Sequence, residues 1–156
     1  MRVVIAAIGV PRDPAVGAAI TEYETRAARY WPLDVRAVRE ESARHLTPEM
    51  VREREGERLA AAVGGAPALV VACAEDGARM TSVEFARWLQ SEREAARRDV
   101  AFVIGGAYGL GRAVLEAAGR RLSLAPWTLP HEMARLVLAE QLYRAGTIVR
   151  GEPYHK

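Results

Sequence analysis

The residues in this chain that could do chemistry are few: three histidines, one cysteine, a glycine-rich loop, and a loop of two prolines flanking a tryptophan. His131 closes the stretch "LAPWTLPH" (124–131), and His155 follows Tyr154 in the terminal "EPYHK". Imidazole titrates near neutrality, so either His could take a proton in catalysis. Plainer readings stay open for both. His131 could be an ordinary residue near a helix N-terminus. The tail could be a disordered terminus rather than a lid that orders on a substrate. Cys73 stands alone, which excludes an internal disulfide framework and gives no zinc pattern.

The glycine loop "GGAYGLG" (105–111) lacks the Lys-Ser/Thr of a Walker loop. Its Gly106-x-x-Gly109-x-Gly111 spacing is not the dinucleotide fingerprint either. Glycines let backbone approach a ligand closely, though a tight strand-to-helix turn needs them too. The segment Leu124–Leu129 is too apolar to hold phosphate with side chains. It could enclose a flat apolar group while backbone N–H and C=O groups read the edges. That suits an adenine ring better than a metal or a polyphosphate.

These loops need elements to position them. "RVVIAAIG" (2–9), "LDVRAV" (33–38), "ALVVAC" (68–73), "DVAFVIGG" (99–106) and "RLSLA" (121–125) predict strands. Helices are predicted over 14–30, 48–63, 82–96, 112–118 and 132–146. Thr47-Pro48 supplies an N-cap and a first-turn proline. Thr81 and Glu84 form a capping box. Strands alternate with helices, and several strands are apolar on both faces. The expectation is a single α/β domain over 1–156 with a mainly parallel sheet covered on both sides. Ligands in such sheets sit beyond the carboxyl ends of the strands. "ACAEDG", "IGGAYGLG" and "LAPWTLPH" all follow strands, so three loops converge on one edge. The Arg/Glu runs "VREREGER" and "SEREAARR" read as solvated helix faces.

The helix after His131 is apolar on nearly every side, broken only by Arg135, Glu140, Gln141 and Arg144. A helix with no watery face must be buried all round. At the periphery of a small domain its second side needs a partner, most simply another copy of the chain. Glu140 and Arg144 are four apart in the favourable order, so an ion pair is the plain expectation there.

Composition sets outer bounds. The 156 residues suit one domain, and half of them are hydrophobic. Net charge is +2, and Lys156 is the sole lysine among 22 cations. Arginine favours bidentate phosphate contacts, but compositional bias explains the bulk of these equally well. No segment reaches the roughly 18 apolar residues of a membrane span, and the start is too short for a signal peptide. A cytoplasmic protein is expected.

"VIGGAYGLG", "LSLAPWTLPHEMARLVLAEQLYRA" and the terminal "PYHK" together resemble the bacterial 23S rRNA (pseudouridine-N3)-methyltransferase H family of the SPOUT class. The start, including Glu22-Tyr23, is similar too, so the resemblance covers essentially the whole chain. It implies a SPOUT-type sheet with a C-terminal trefoil knot, an exception to unknotted chains. It also implies a homodimer packed through the last helix, and S-adenosyl-L-methionine as cofactor. The family's cofactor contacts fall on Cys73, Gly105, Gly106, Leu124, Ala125, Pro126, Trp127, Thr128 and Leu129. The chain departs from the family pattern in three places. Cys73 stands where Leu is common, Ala107-Tyr108 replaces a more polar pair, and Pro11-Arg12 stands where a Lys is common.

The implied reaction moves a methyl group to N3 of a pseudouridine in 23S rRNA on the assembled ribosome, with no metal and no membrane involved. His155 or His131 would accept the imide proton, with His155 favoured, and Tyr154 would stack on or position the base. Arg135 and Arg144 could hold phosphate. Other readings are a SPOUT enzyme acting on tRNA or a ribose oxygen, and a ribosome-associated binding protein without catalysis.

Overall fold

The computed structural model describes residues 1–64, 68–95 and 99–156. Ten elements follow in chain order: β1 (Val3–Ile8), α1 (Pro14–Ala27), β2 (Leu33–Val38), α2 (Pro48–Val63), β3 (Ala68–Ala78), α3 (Ser82–Ala95), β4 (Asp99–Ile104), α4 (Arg112–Ala117), β5 (Arg120–Leu122) and α5 (His131–Arg150). The expected end of the third helix at 96, the turn after Gly64 and Arg97-Arg98 of the second charged run lie outside the described residues.

All five strands are parallel, in the order β2-β1-β4-β3-β5. Alternation along β1 shows why its sequence is apolar throughout. Val3, Ile5 and Ala7 enter one core with Phe102, Phe85 and Leu142. Ala6 and Ile8 enter a second core with Val103, Leu59 and Val114. A strand buried on both faces needs no polar alternation. Helices α1, α3 and α5 belong to the first face, and α2 and α4 to the second.

The capping signals behave as their chemistry requires. Asp13 accepts from the Ala15 N–H and Thr47 from the Met50 N–H. Thr81 and Glu84 exchange hydrogen bonds, with the Thr81 N–H donating to Glu84 Oε2 at 2.7 Å.

Three expectations change. The strand from residue 68 does not stop at Cys73. Cys73 and Ala78 both pair with Leu122, so residues 74–77 bulge out and the strand resumes. The last helix runs on to Arg150 rather than stopping near Gly146. Gly146 sits inside it because a Cβ there would stand 2.2 Å from the Tyr30 ring, while Gly151, at φ +67°, ends it. The run "VREREGER" is not wholly solvated. Val51, Glu55 and Leu59, four apart, share the buried face of α2.

The apolar helix α5 finds neighbours within its own chain. It lies against both α1 and α3 with the sheet beneath, and buries Leu138, Ala139, Leu142 and Ala145. Trp31, itself buried, donates its indole N–H to the Leu142 carbonyl at 2.9 Å. Among residues 131–150 only Met133 and Arg150 are exposed, and Leu136, Val137 and Tyr143 stay half-buried. Among the described residues no helix is long and apolar enough to cross a membrane.

Candidate active site

A cavity of about 550 Å³ opens at the carboxyl edge of the sheet. The bulge of β3, the loops after β4 and β5, and the first turn of α5 all line it. Cys73 and Ala74 come from the strand bulge, Gly105 and Gly106 from the turn after β4, and Leu124, Ala125, Trp127, Thr128 and Leu129 from the loop into α5. His131 and Ala134 complete the α5 side.

Each loop has a local reason for its path. At Gly105 a Cβ would stand 2.5 Å from the Gly109 carbonyl carbon, so the turn closes only with glycine there. The Gly109 N–H donates to the Gly106 carbonyl, and Gly109 itself has φ +79°. Behind Gly106 lies the Glu55 carboxylate, 3% exposed; a Cβ on Gly106 would be 2.7 Å from its Oε2. Glu55 Oε1 accepts the Glu41 N–H, tying the loop after β2 to the back of the glycine turn. Ser123 Oγ donates to the Ala125 carbonyl at 2.8 Å and bends the chain as β5 ends. Trp127 projects from this loop, 76% exposed.

The lining is mixed. Leu124, Leu129 and Cys73 offer apolar surface, and burial pushes the Cys73 thiol up to about 12, so it is neutral at physiological pH. Glu75, Asp76 and the glycine backbone supply polar groups. The volume lies within the range of small-molecule sites. Among the described residues no group of three His, Cys, Asp or Glu is placed to hold a metal ion.

The family model described as "Predicted SPOUT methyltransferase" matches residues 1–155. The chain belongs to the SPOUT methyltransferases. Three relatives are each named "Ribosomal RNA large subunit methyltransferase H". The one from Gemmatimonas aurantiaca is 65% identical, with 100% of both chains covered. That from Anaeromyxobacter sp. is 46% identical over 100% of both. That from Nitratidesulfovibrio vulgaris is 45% identical over 97% of this chain and 96% of its own. At those identities the chain belongs to their family as well. A solved structure described as a probable methylase family protein from Haemophilus influenzae Rd KW20 has the same fold. It matches with TM-score 0.57 at 16% identity, over 99% of this chain and 70% of that one.

The SPOUT cavity gathers all but one of the residues expected to meet the cofactor. Pro126 is the exception: its neighbours line the cavity and it does not. Ile104, Leu110 and Leu115 line it without having been singled out, and so does Tyr108, which was named only as a departure from the family pattern. Their signal was membership of the same glycine loop and the short helix after it.

The expected catalytic residues separate. His131 borders the cavity, with its side chain 17% exposed. Tyr154 and His155 fold back along α5 instead. Tyr154 donates to Glu140 and packs its ring 4.6 Å from that of Tyr143, and His155 Nδ1 lies 3.4 Å from Arg144 Nη1. Residues 131 and 144 are separated by roughly 20 Å along a helix axis. The tail is also tied down by Glu152, which accepts from the Tyr30 hydroxyl. Within one chain it is therefore bound to the helix and does not cover the cavity.

Both arginines expected at phosphate are paired with carboxylates. Arg135 holds Glu24 through Nε at 2.8 Å and Nη2 at 3.2 Å, with side chains 12% and 14% exposed. Arg144 holds Glu140, the ion pair that the spacing suggested. Neither offers a free guanidinium, because a partly buried carboxylate already satisfies it.

Proposed function

We propose that this chain is an S-adenosylmethionine-dependent methyltransferase acting on N3 of a pseudouridine in 23S rRNA, in the assembled ribosome. The observation that carries the reading is the one cavity to which the bulge of β3 and the loops after β4 and β5 all contribute. Support for the substrate comes from the full-length relatives named for large-subunit ribosomal RNA. Threading of the C-terminal segment into a trefoil knot belongs to the same proposal, as does a cytoplasmic location.

The residues present fit the cofactor. Leu124, Leu129 and the neutral Cys73 thiol offer apolar walls for adenine, and the loop backbone offers edges for its polar atoms. S-adenosylmethionine, when bound, supplies a methyl group activated on a sulfonium. The protein's share is alignment of the reacting atoms, a proximity effect that reaches roughly 7–11 kcal/mol at its limit. His131 is the histidine at the cavity within the chain and is the acceptor we assign for the substrate's N–H proton.

Tyr154 and His155 can share this site only through a second chain. A homodimer packed on the outward side of α5, where Met133, Leu136 and Val137 remain partly open, would let one chain's tail serve its partner's cavity. The test uses labelled S-adenosylmethionine with ribosomes from cells lacking the enzyme. Joined ribosomes, large subunits and naked 23S rRNA are compared, and the product nucleoside is identified by mass. N3-methylpseudouridine on joined ribosomes alone supports the reading. Cofactor binding with no transfer to any of the three overturns it. Sedimentation of the pure protein as a monomer would overturn the dimer.

A further inference from the structure

We propose that Glu40 and Glu132 are positioning residues that orient the His131 ring, so that one nitrogen is left to take the substrate's proton. The proposal rests on the methyltransferase reading above. His131 Nε2 has essentially no accessible surface and no hydrogen-bond partner. Its near neighbours are Glu40 Oε1 at 3.9 Å and Glu132 Oε1 at 4.0 Å. These separations are too long for hydrogen bonds but short enough for strong electrostatic influence. Nε2 is therefore turned into the protein, toward two carboxylates, while the ring borders the cavity. The nitrogen left for a group in the cavity is Nδ1.

Two carboxylates facing Nε2 favour the tautomer with its hydrogen there, leaving a lone pair on Nδ1. Catalytic contacts of this kind are often loose before substrate binds and tighten in the complex. In the balanced step the substrate N–H gives its proton to Nδ1 as the nitrogen takes the methyl group. The carbon–sulfur bonding pair stays on sulfur, leaving a neutral thioether.

Three elements build the arrangement. Glu40 follows β2, Glu132 opens α5, and Arg12 follows β1. The Arg12 N–H donates to Glu132 Oε1 at 3.1 Å, and its Nη2 donates to Glu40 Oε1 and Oε2 at 3.4 and 3.2 Å. Gly9, at φ +79°, makes room: a Cβ there would stand 2.9 Å from Glu40 Oε1. The other charged groups at the cavity are Glu75 and Asp76, the latter paired with Arg121 at 2.8 Å.

The test uses full-length Glu40→Gln, Glu132→Gln and the double variant. Methyl transfer to ribosomes gives kcat and KM, calorimetry gives cofactor affinity, and ¹⁵N spectra of the His131 ring give its tautomer. We expect kcat to fall about tenfold in each single variant and about 100-fold in the double, the lower end for loss of a proton-transfer group. Cofactor affinity should stay within about twofold. The ring should move from the Nε2–H form toward a mixture. An unchanged kcat in the double variant beside an active wild type overturns the proposal, and so does an unchanged tautomer. An inactive wild type would instead sink the methyltransferase reading, while the tautomer in the same samples still decides the positioning role.

Discussion

Tyr154 donates its hydroxyl to Glu140 Oε1 at 3.0 Å, onto the same oxygen that Arg144 holds. The Arg144 guanidinium carbon also lies 4.6 Å from the centre of the Tyr154 ring. One carboxylate thus fastens the tail to the middle of α5. Burial, with the hydrogen bonds that Tyr154 makes with Tyr23 and to Glu140, raises its phenol above the ordinary range, so it stays a neutral donor. Tyr154→Phe should keep the packing and lose the hydrogen bond, costing about 0.5–1.5 kcal/mol in urea denaturation.

His155 carries a different expectation. It lies far from the cavity of its own chain and, with His131 taking the proton, would position the base in a partner's cavity, so His155→Ala should leave cofactor affinity unchanged and lower kcat by about 100-fold. Mixing that variant with a cavity-blocked Gly105→Ala chain should restore part of the activity. Full turnover by His155→Ala alone would remove the tail from the reaction.

Gly105→Ala itself tests the cavity. The added Cβ would meet backbone atoms of Gly109 at 2.5 Å, where no flexible side chain can give way. The turn must open, and cofactor affinity should drop at least about tenfold, or ~1.4 kcal/mol. Unchanged affinity by calorimetry would mean that the glycine turn does not touch the cofactor.

Asp99 links stability to acid. The Arg2 N–H donates to its Oδ1 at 2.7 Å, and this bond, aided by the Arg2 guanidinium and opposed by burial, lowers the carboxyl below its ordinary value. A carboxyl lowered by folding stabilises the protein above its unfolded pKa of about 3.9, and that contribution is lost as pH falls through the lower folded value. Asp99→Asn should therefore lose stability at neutral pH and show a flatter decline below about pH 4. Urea midpoints across pH would reveal parallel curves if the link is absent.

Cys73 should be a poor nucleophile in the native protein. With its thiol near 12, the thiolate fraction at pH 8 is roughly a thousandfold below that of a free cysteine. Iodoacetamide labelling followed by mass should be slow when folded and rapid in denaturant. Fast native labelling would place the thiol in a more open setting than the cavity wall.

Much of this architecture was legible in the sequence because its signals are local. Continuous apolar strands, Thr47-Pro48, and the Thr81–Glu84 box each act within a few residues, and they marked the elements correctly. The strand–loop grammar of parallel sheets brought the Cys73, Gly105 and Leu124–Leu129 segments to one edge. Local spacing also announced the Glu140–Arg144 pair.

Contacts between distant segments left no such trace. Arg135 meets Glu24 from 111 residues away, and Glu132 takes the Arg12 N–H from 120 away. Glu55 looked like part of a charged run until the packing of α2 turned it behind Gly106. Periodicity, turn chemistry and motif were enough to read the elements, the cavity loops and the family. Which charges pair with each other, which histidine faces the cavity, and where the tail lies emerged from the packing alone. Those outcomes depend on how α1, α5 and the strand ends meet in space, and no local pattern encodes that distance.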